Sequence, residues 1–235
     1  MGFKGLKMTT KFTHIVLIAL VGLGLVIAQD AVAQDNPAHS HIGHIADGFR
    51  GTPNGVGLLA TAIAEAEVAA KHAGIAAKNS KNLVGMKRHM NHVLHALDPE
   101  EVKELDRVGT AGNGPGAGYG VLAAARGVVL HMGFAAGSDG ASDAVTTHAN
   151  HVVTSAQNTV DRVLQMIGLA RAIQEASSAS DAAPIVEELV AISVQLTAGN
   201  DANGDGGVSW QEGEGGLDTA QIHVNIIKSS EGIEN

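Results

Sequence analysis

The stretch HAGIAAKNSKNLVGMKRHMNHV at residues 72–93 decides the fold, because its pattern returns 59 residues later as HMGFAAGSDGASDAVTTHANHV at 131–152. Each copy has a helical apolar pattern, then a polar turn at 78–82 or 137–140, then a second helical pattern. Repeats of this length are usually duplicated supersecondary units that bury a face against each other. We therefore expect two helical hairpins that together form a four-helix bundle.

The remainder of the chain is also predicted to be helical. Asp98-Pro99-Glu100-Glu101 is typical of a helix start, and this short helix is expected to end near Val108. Further helices are predicted from Ala183 to Leu196 and from Leu217 to Lys228, and no strand pattern is found. The predicted class is all-α, with a signal peptide at 1–33, a poorly structured histidine-containing arm at 34–56, the hairpin bundle at 57–178 and a calcium module at 181–230.

The N-terminal segment has the pattern of a secretory signal. Three lysines precede an apolar run from Ile15 to Ile27, and a small-residue cleavage site lies before Gln34. The run of 13 residues is short for a membrane span, which needs about 20. A retained anchor is the alternative. We expect a periplasmic or extracellular protein without a membrane partner after cleavage.

Charge and composition limit the partners. With three lysines and Asp30 removed, 12 basic and 23 acidic residues remain, a net charge of −11 against −9 for the whole chain. This balance argues against nucleic acid and anionic membrane surfaces, and it favours metal ions as partners. The chain has no cysteine, which excludes thiolate zinc sites, iron–sulfur clusters and covalent c-type haem.

The stretch DANGDGGVSWQE at 201–212 resembles the EF-hand calcium loop. Calcium prefers six to eight oxygen ligands, and the EF-hand spacing places them around one point. Gly206 stands at the sharp turn of the loop. The resemblance implies a calcium ion bound by Asp201, Asn203, Asp205, the Gly207 carbonyl, Ser209 and Glu212.

The flanks of this loop depart from the EF-hand pattern. EF-hands usually occur in pairs, whereas this sequence has one, which leaves a homodimer through the unpaired loop open. Asn200 replaces the usual apolar residue, and Gly213, Gly215 and Gly216 are expected to delay the exiting helix. An opening switch needs two rigid helices on the loop. The pattern therefore favours a C-terminal single EF-hand-like helix-loop-helix with a structural calcium ion.

Six histidines recur in the repeat. The i,i+3 spacing of His89 with His92, and of His148 with His151, places each pair on one helix face. Within each hairpin the third histidine is as far before the turn as the first of the pair is after it, so we expect three imidazoles at one level. An up-down-up-down bundle would bring all six into one layer: His72, His89, His92, His131, His148 and His151.

Such a layer could form two sites, one dinuclear centre or the axial ligands of b-type haem. Imidazole nitrogens suit zinc, copper, nickel or iron. The alternative is that duplication copied histidines with only a structural role. Carboxylate di-iron bundles use Glu-x-x-His pairs, which are missing at the repeat positions. Met86, Met90 and Met132 flank the histidines, where they fill the core or favour copper.

The other histidines are given lesser roles. His39, His41 and His44 are interpreted as a weak metal-scavenging arm, and His223 as structural. We expect an exported calcium-binding helical-bundle protein with histidine-ligated zinc, copper or iron, acting in binding, sensing or storage. The alternative is a redox or electron-transfer protein that holds copper, non-haem iron or b-type haem. No nucleophile–base constellation supports an enzyme.

Overall fold

A computed structural model describes residues 1–2, 36–102 and 116–233 of the chain. The chain divides into two units, 1–34 and 35–235, and all the elements below belong to the second. The described residues contain no strand, which confirms the all-α class. The helices are α1 (Pro37–Ala46), α2 (Leu58–Lys78), α3 (Leu83–Leu97), α4 (Val121–Ala136), α5 (Asp143–Glu175), α6 (Ala179–Ala198) and α7 (Leu217–Glu231).

Two predicted segments fall wholly or largely outside the described residues. The leader at 1–33 is one, and most of the short helix expected from Asp98 to Val108 is the other. Pro99–Glu101 form a single 3-10 turn there. Within the described ranges, no helix has the length and apolar content that a membrane crossing requires.

The expected unstructured arm contains helix α1, which corrects the sequence-based interpretation. Asn36 caps the helix by accepting a hydrogen bond from the Ala38 amide, and Pro37 stands at its start. Ala38, Ile42 and Ile45 recur at helical spacing and are fully buried. The cap and this apolar stripe are present in the sequence, but the nearby glycines and prolines favoured the prediction of an unstructured arm.

The two repeated segments each form a pair of packed helices. α2 packs against α3 across the turn at 79–82, and α4 packs against α5 across the turn at 137–142. α2 also contacts α4, and α3 contacts α5. Many of the buried residues of α2 are alanines, which allow helices to approach closely. Around these four helices, α1 packs on α4, α6 packs on α2 and α5, and α7 packs on α5.

Glu231 near the end of α7 joins three elements at one end of the molecule. Its Oε1 accepts a 2.5 Å hydrogen bond from the hydroxyl of Ser142, the N-cap of α5, and its Oε2 lies 2.9 Å from His39 Nε2 on α1. The hydrogen bonds from Ser142 and His39 lower the pKa of the Glu231 carboxyl. The start of α1 and the end of α7 therefore lie beside the start of α5.

A buried arginine on α5 anchors the chain that precedes α7. Arg162 is 7% exposed, and its guanidinium donates hydrogen bonds of 2.7–3.2 Å to four backbone carbonyls. Asn158, one turn earlier, accepts from the Gly213 amide and donates to two carbonyls of the same segment. The four carbonyls bound by Arg162 belong to Gln195, Gly213, Glu214 and Gly215.

Candidate metal centres

Nine histidines in the described residues gather into three groups of three. Within each group, one ligand nitrogen from each ring lies within 4.8 Å of the other two. We name the groups by their position along the chain. Site I is His41, His44 and His131; site II is His72, His89 and His92; site III is His148, His151 and His223.

The three sites share one construction. Each takes two histidines at i and i+3 from one helix, where this spacing places both rings on the same face. The third histidine comes from a helix packed against the first. The pairs lie on α1, α3 and α5, and the single histidines lie on α4, α2 and α7 respectively.

In sites I and II the Nδ1 atom of the single histidine lies close to the Nδ1 atoms of both members of the pair. His131 Nδ1 is 3.1 Å from His41 Nδ1 and 3.3 Å from His44 Nδ1. His72 Nδ1 is 3.0 Å from His89 Nδ1 and 3.3 Å from His92 Nδ1. Three nitrogens bound tetrahedrally to zinc at about 2.0–2.1 Å lie about 3.3–3.4 Å apart. The two separations given for each site are within a few tenths of an ångström of that spacing, and the third nitrogen pair lies within 4.8 Å.

Site III has the same central contact. His223 Nδ1 is 3.0 Å from His148 Nδ1, and the ring centroids of His151 and His223 are 4.5 Å apart. His151 Nδ1 is buried and has no hydrogen-bond partner among the described residues. An unpartnered buried nitrogen costs free energy unless a ligand satisfies it.

The close Nδ1–Nδ1 contacts of sites I and II restrict how protons can be shared among the rings. The Nδ1 of a neutral imidazole carries either one proton or one lone pair. A central Nδ1 with two close Nδ1 neighbours therefore cannot donate to one and accept from the other. A metal ion accepts one lone pair from each of three neutral rings at once. The chemistry of the donor set fits a metal better than it fits a network of protons.

Burial and neighbouring charges lower the pKa of five of these imidazoles. Burial, with a smaller contribution from neighbouring histidines, lowers the pKa of His41, His131 and His151. The same two causes lower the pKa of His223 to about 4. Burial, then His92 and Arg88, lowers the pKa of His89. Because a proton and a metal compete for the same lone pair, rings with lowered pKa values are available to a metal at neutral pH.

The surroundings distinguish the sites. Site II is the most buried, with His72 fully buried and His92 4% exposed. Site I is bordered by Phe49 and Phe134, whose rings lie 5.2–6.1 Å from its imidazoles. In sites I and III all three histidines are partly exposed.

Site III has an aromatic partner from the loop at 201–212. The indole of Trp210 stacks on the His151 ring with a centroid separation of 4.1 Å and an interplanar angle of 21°. Trp210 is the single tryptophan of the chain. The loop at 201–212 and site III are therefore in direct contact.

The expectation that each hairpin gathers its own three histidines is wrong for the second hairpin. The α2–α3 hairpin does bring His72, His89 and His92 together as expected. In the α4–α5 hairpin, however, His131 contacts the α1 pair, whereas His148 and His151 contact α7. Distance from the turn determines height along a hairpin, but it does not determine which face a ring occupies. The predicted six-histidine layer is replaced by three separate groups.

Three histidines outside the predicted set also belong to these sites, although sequence reasoning assigned them lesser roles. His41 and His44 belong to an ordered helix rather than a loose scavenging arm, and His223 completes site III. A signal was available, because His41 and His44 have the same i,i+3 spacing as His89 with His92. That pair lies outside the 59-residue repeat, so the repeat comparison did not reveal it.

The loop at 201–212 turns several of its polar side chains inward. Asp201 carboxylate oxygens accept hydrogen bonds from the amides of residues 204, 205 and 206 at 2.8–3.1 Å. The side-chain oxygens of Asn203 and Asp205 accept hydrogen bonds from the backbone amides two residues later in the chain. Gly206 adopts φ +94°, which non-glycine residues rarely adopt. α7 begins at Leu217, the predicted start, after Gly215 and Gly216.

Two glutamates at the end of this loop differ in environment. Glu212, at the twelfth position of the motif, is exposed. Glu214 is 1% exposed, and its Oε2 accepts hydrogen bonds from the Ser209 amide at 2.9 Å and the Ser209 hydroxyl at 2.6 Å. The loop is not among the described groups of three or more His, Asp or Glu side chains with ligand atoms within 4.8 Å. Glu214 is a residue that the motif comparison alone did not single out.

Comparison with known proteins gives no relative. No protein-family model, curated protein or solved structure matches this chain. The geometry of sites I, II and III is therefore the basis for any statement about function.

Proposed function

We propose that the protein binds transition-metal ions, one in each of sites I, II and III, and holds them for storage or transfer. The observation that supports this most is the threefold recurrence of one construction, an i,i+3 histidine pair with a third histidine from a packed neighbour. Multiple copies of one binding geometry suit a protein that binds several metal ions per chain. Zinc, copper and iron all accept imidazole ligands.

The geometry does not favour b-type haem. Two axial histidines must lie on opposite faces of a porphyrin, whereas here the central Nδ1 lies 3.0–3.3 Å from both others in sites I and II. A dinuclear centre shared between the two hairpins also loses support, because their histidines fall into separate groups. Mononuclear sites bound by three imidazoles are the better description.

Stoichiometry tests this proposal. We expect the purified chain, stripped with a chelator, to bind three equivalents of Cu(I) under anaerobic reducing conditions. His131→Gln, His72→Gln and His223→Gln each remove the central ligand of one site, so each is expected to lower the stoichiometry by one. Mass-spectrometric metal analysis after desalting, together with calorimetric titration, measures both quantities.

His95→Gln is the matched control for the stoichiometry experiment. His95 lies on α3 one turn beyond His92 but belongs to none of the three groups. This variant is expected to bind three equivalents. Wild-type protein that binds no transition metal, or single variants that retain three equivalents, would contradict the proposal.

We also propose that the loop at 201–212 binds calcium. Its inward-facing oxygens on Asp201, Asn203 and Asp205, and the left-handed turn at Gly206, support this assignment. The anchoring of residues 213–215 by Arg162 ties the end of the loop to α5. The arrangement supports a structural role for calcium better than a switch.

Calcium titration of loop variants provides the test. Asp201→Asn is expected to weaken calcium binding by at least about tenfold, because it removes charge from a hard-cation site. Comparing Glu212→Gln with Glu214→Gln identifies the carboxylate that completes the site. Asp218→Asn, an exposed acid in the first turn of α7, is the control and should change little. Unchanged affinity in Asp201→Asn would exclude the loop as the site.

Export remains part of the proposed function. The lysines before the apolar run from Ile15 to Ile27 and the small residues before Gln34 support removal of the leader. N-terminal sequencing of the protein from the periplasmic or extracellular fraction is expected to begin at Gln34. Recovery of the intact N terminus in the membrane fraction would instead support the retained anchor.

A further inference from the structure

Site II differs from the other two sites in its burial. Among the described residues its ligand set, like those of sites I and III, is three imidazoles with no carboxylate. His72 is fully buried, His92 is 4% exposed and His89 is partly exposed, so less water reaches a bound charge here than in sites I and III, where all three rings are partly exposed. The residue before His89 is Arg88, so a positive charge adjoins this ligand along the chain. An ion in this site gains no compensating negative charge from the ligands.

The cost of burying an ion rises steeply with its charge. In the continuum description the desolvation free energy scales with the square of the charge, so a dication costs about four times as much as a monocation of equal size. Repulsion from a nearby guanidinium is also twice as strong for a dication as for a monocation. Divalent sites in proteins usually offset these costs with carboxylate, thiolate or bound hydroxide.

We propose that site II is a Cu(I) site that discriminates against divalent ions. This inference rests on the proposed function, because it assumes that the site binds a transition metal. Cu(I) has one positive charge and accepts imidazole and thioether ligands. Two fully buried methionines, Met86 and Met90, lie on the same helix, three residues before and one residue after His89. Met86, three residues before His89, shares its helix face, and a polarisable thioether beside the pair favours a soft monovalent ion.

Sites I and III do not share this selectivity. All three histidines of each are partly exposed, so solvent screens the charge of a divalent ion there. The chain therefore combines one site selective for Cu(I) with two sites that also accept divalent ions.

The experiment isolates site II in the full chain. The double variant His131→Gln/His223→Gln removes the central ligands of sites I and III and leaves site II intact. Circular dichroism establishes that it remains helical. Under anaerobic conditions with a reductant, we expect this variant to bind one equivalent of Cu(I) in competition with a chromogenic Cu(I) chelator. It is expected to retain that Cu(I) against about a tenfold excess of Zn(II).

A charge reversal provides an independent measurement. Arg88 is exposed, so its replacement should preserve the fold. In the double-variant background, Arg88→Glu is expected to raise the Zn(II) affinity on the order of tenfold more than the Cu(I) affinity, because the added attraction is twice as large for the dication. Lys81→Glu makes the same charge change in the α2–α3 turn, eight residues before His89. Because solvent and salt screen this charge, Lys81→Glu should leave the ratio of Zn(II) affinity to Cu(I) affinity nearly unchanged.

The outcomes separate the two proposals. Displacement of Cu(I) by Zn(II) in the double variant would overturn the selectivity of site II while leaving transition-metal binding intact. Equal effects of Arg88→Glu on both ions would also overturn it. If wild-type protein and double variant bind no Cu(I), Cu(II) or Zn(II), the proposed function itself fails.

Discussion

Cu(II) bound in site III is expected to quench most of the tryptophan fluorescence of the protein. Trp210 is the single tryptophan, and its indole stacks on the ring of His151 at 4.1 Å. A paramagnetic ion on that imidazole is within contact distance of the excited indole, where quenching by electron transfer is efficient. A fluorescence titration with Cu(II) measures the loss of emission, and Zn(II), which has a filled d shell, should not cause it.

Site-specific variants assign the quenching. His148→Gln and His223→Gln are expected to remove the high-affinity phase, because each deletes one ligand of site III but leaves the stacked ring in place. His72→Gln deletes a ligand of site II and serves as the matched control, which should quench as the wild type does. Full quenching that persists in the double variant His148→Gln/His223→Gln would show that the ion does not occupy site III.

Arg162→Ala is expected to destabilise the protein by about 3–5 kcal/mol, because it leaves several buried carbonyls without a donor. The guanidinium is 7% exposed and connects α5 to Gln195 on α6 and to residues 213–215. For a protein of this size the loss corresponds to a fall in Tm of about 6–20 °C. Thermal unfolding followed by circular dichroism measures it.

Arg171→Ala is the matched control on the same helix. Arg171 is exposed, and its guanidinium pairs with Glu101 at 2.5 Å on the surface. Exposed ion pairs contribute about 0–1 kcal/mol, so this variant should unfold close to the wild-type temperature. Similar losses in the two variants would show that the carbonyl contacts of Arg162 are not the cause.

Sequence reasoning succeeded where partners lie within one repeat unit. Site II needs only α2, α3 and their turn, and the equal distance of His72 and His89 from that turn placed the rings together. The start of α7 at Leu217 was also predictable, because Gly215 and Gly216 delay the helix. These features depend on local spacing.

Sequence reasoning failed where the partner comes from outside the repeat. His131 contacts a pair on α1, and His223 completes a pair on α5, through packing of helices that the repeat does not contain. Arg162 also escaped notice, because a single arginine in a helical pattern gives no indication that it is buried against carbonyls. Long-range packing selects such partners, and spacing along the chain does not encode it.

Sites I and III join residues that are far apart along a chain without cysteine. His41 and His131 are separated by 90 positions, and His148 and His223 by 75. An ion bound to all three imidazoles cross-links the chain as a disulfide does. In the chain-entropy description, closing a loop of this size removes about 4–5 kcal/mol of conformational freedom from the unfolded state. Metal supply, rather than oxidation, would then control how strongly α1 and α7 are attached, and a chelator could reverse it.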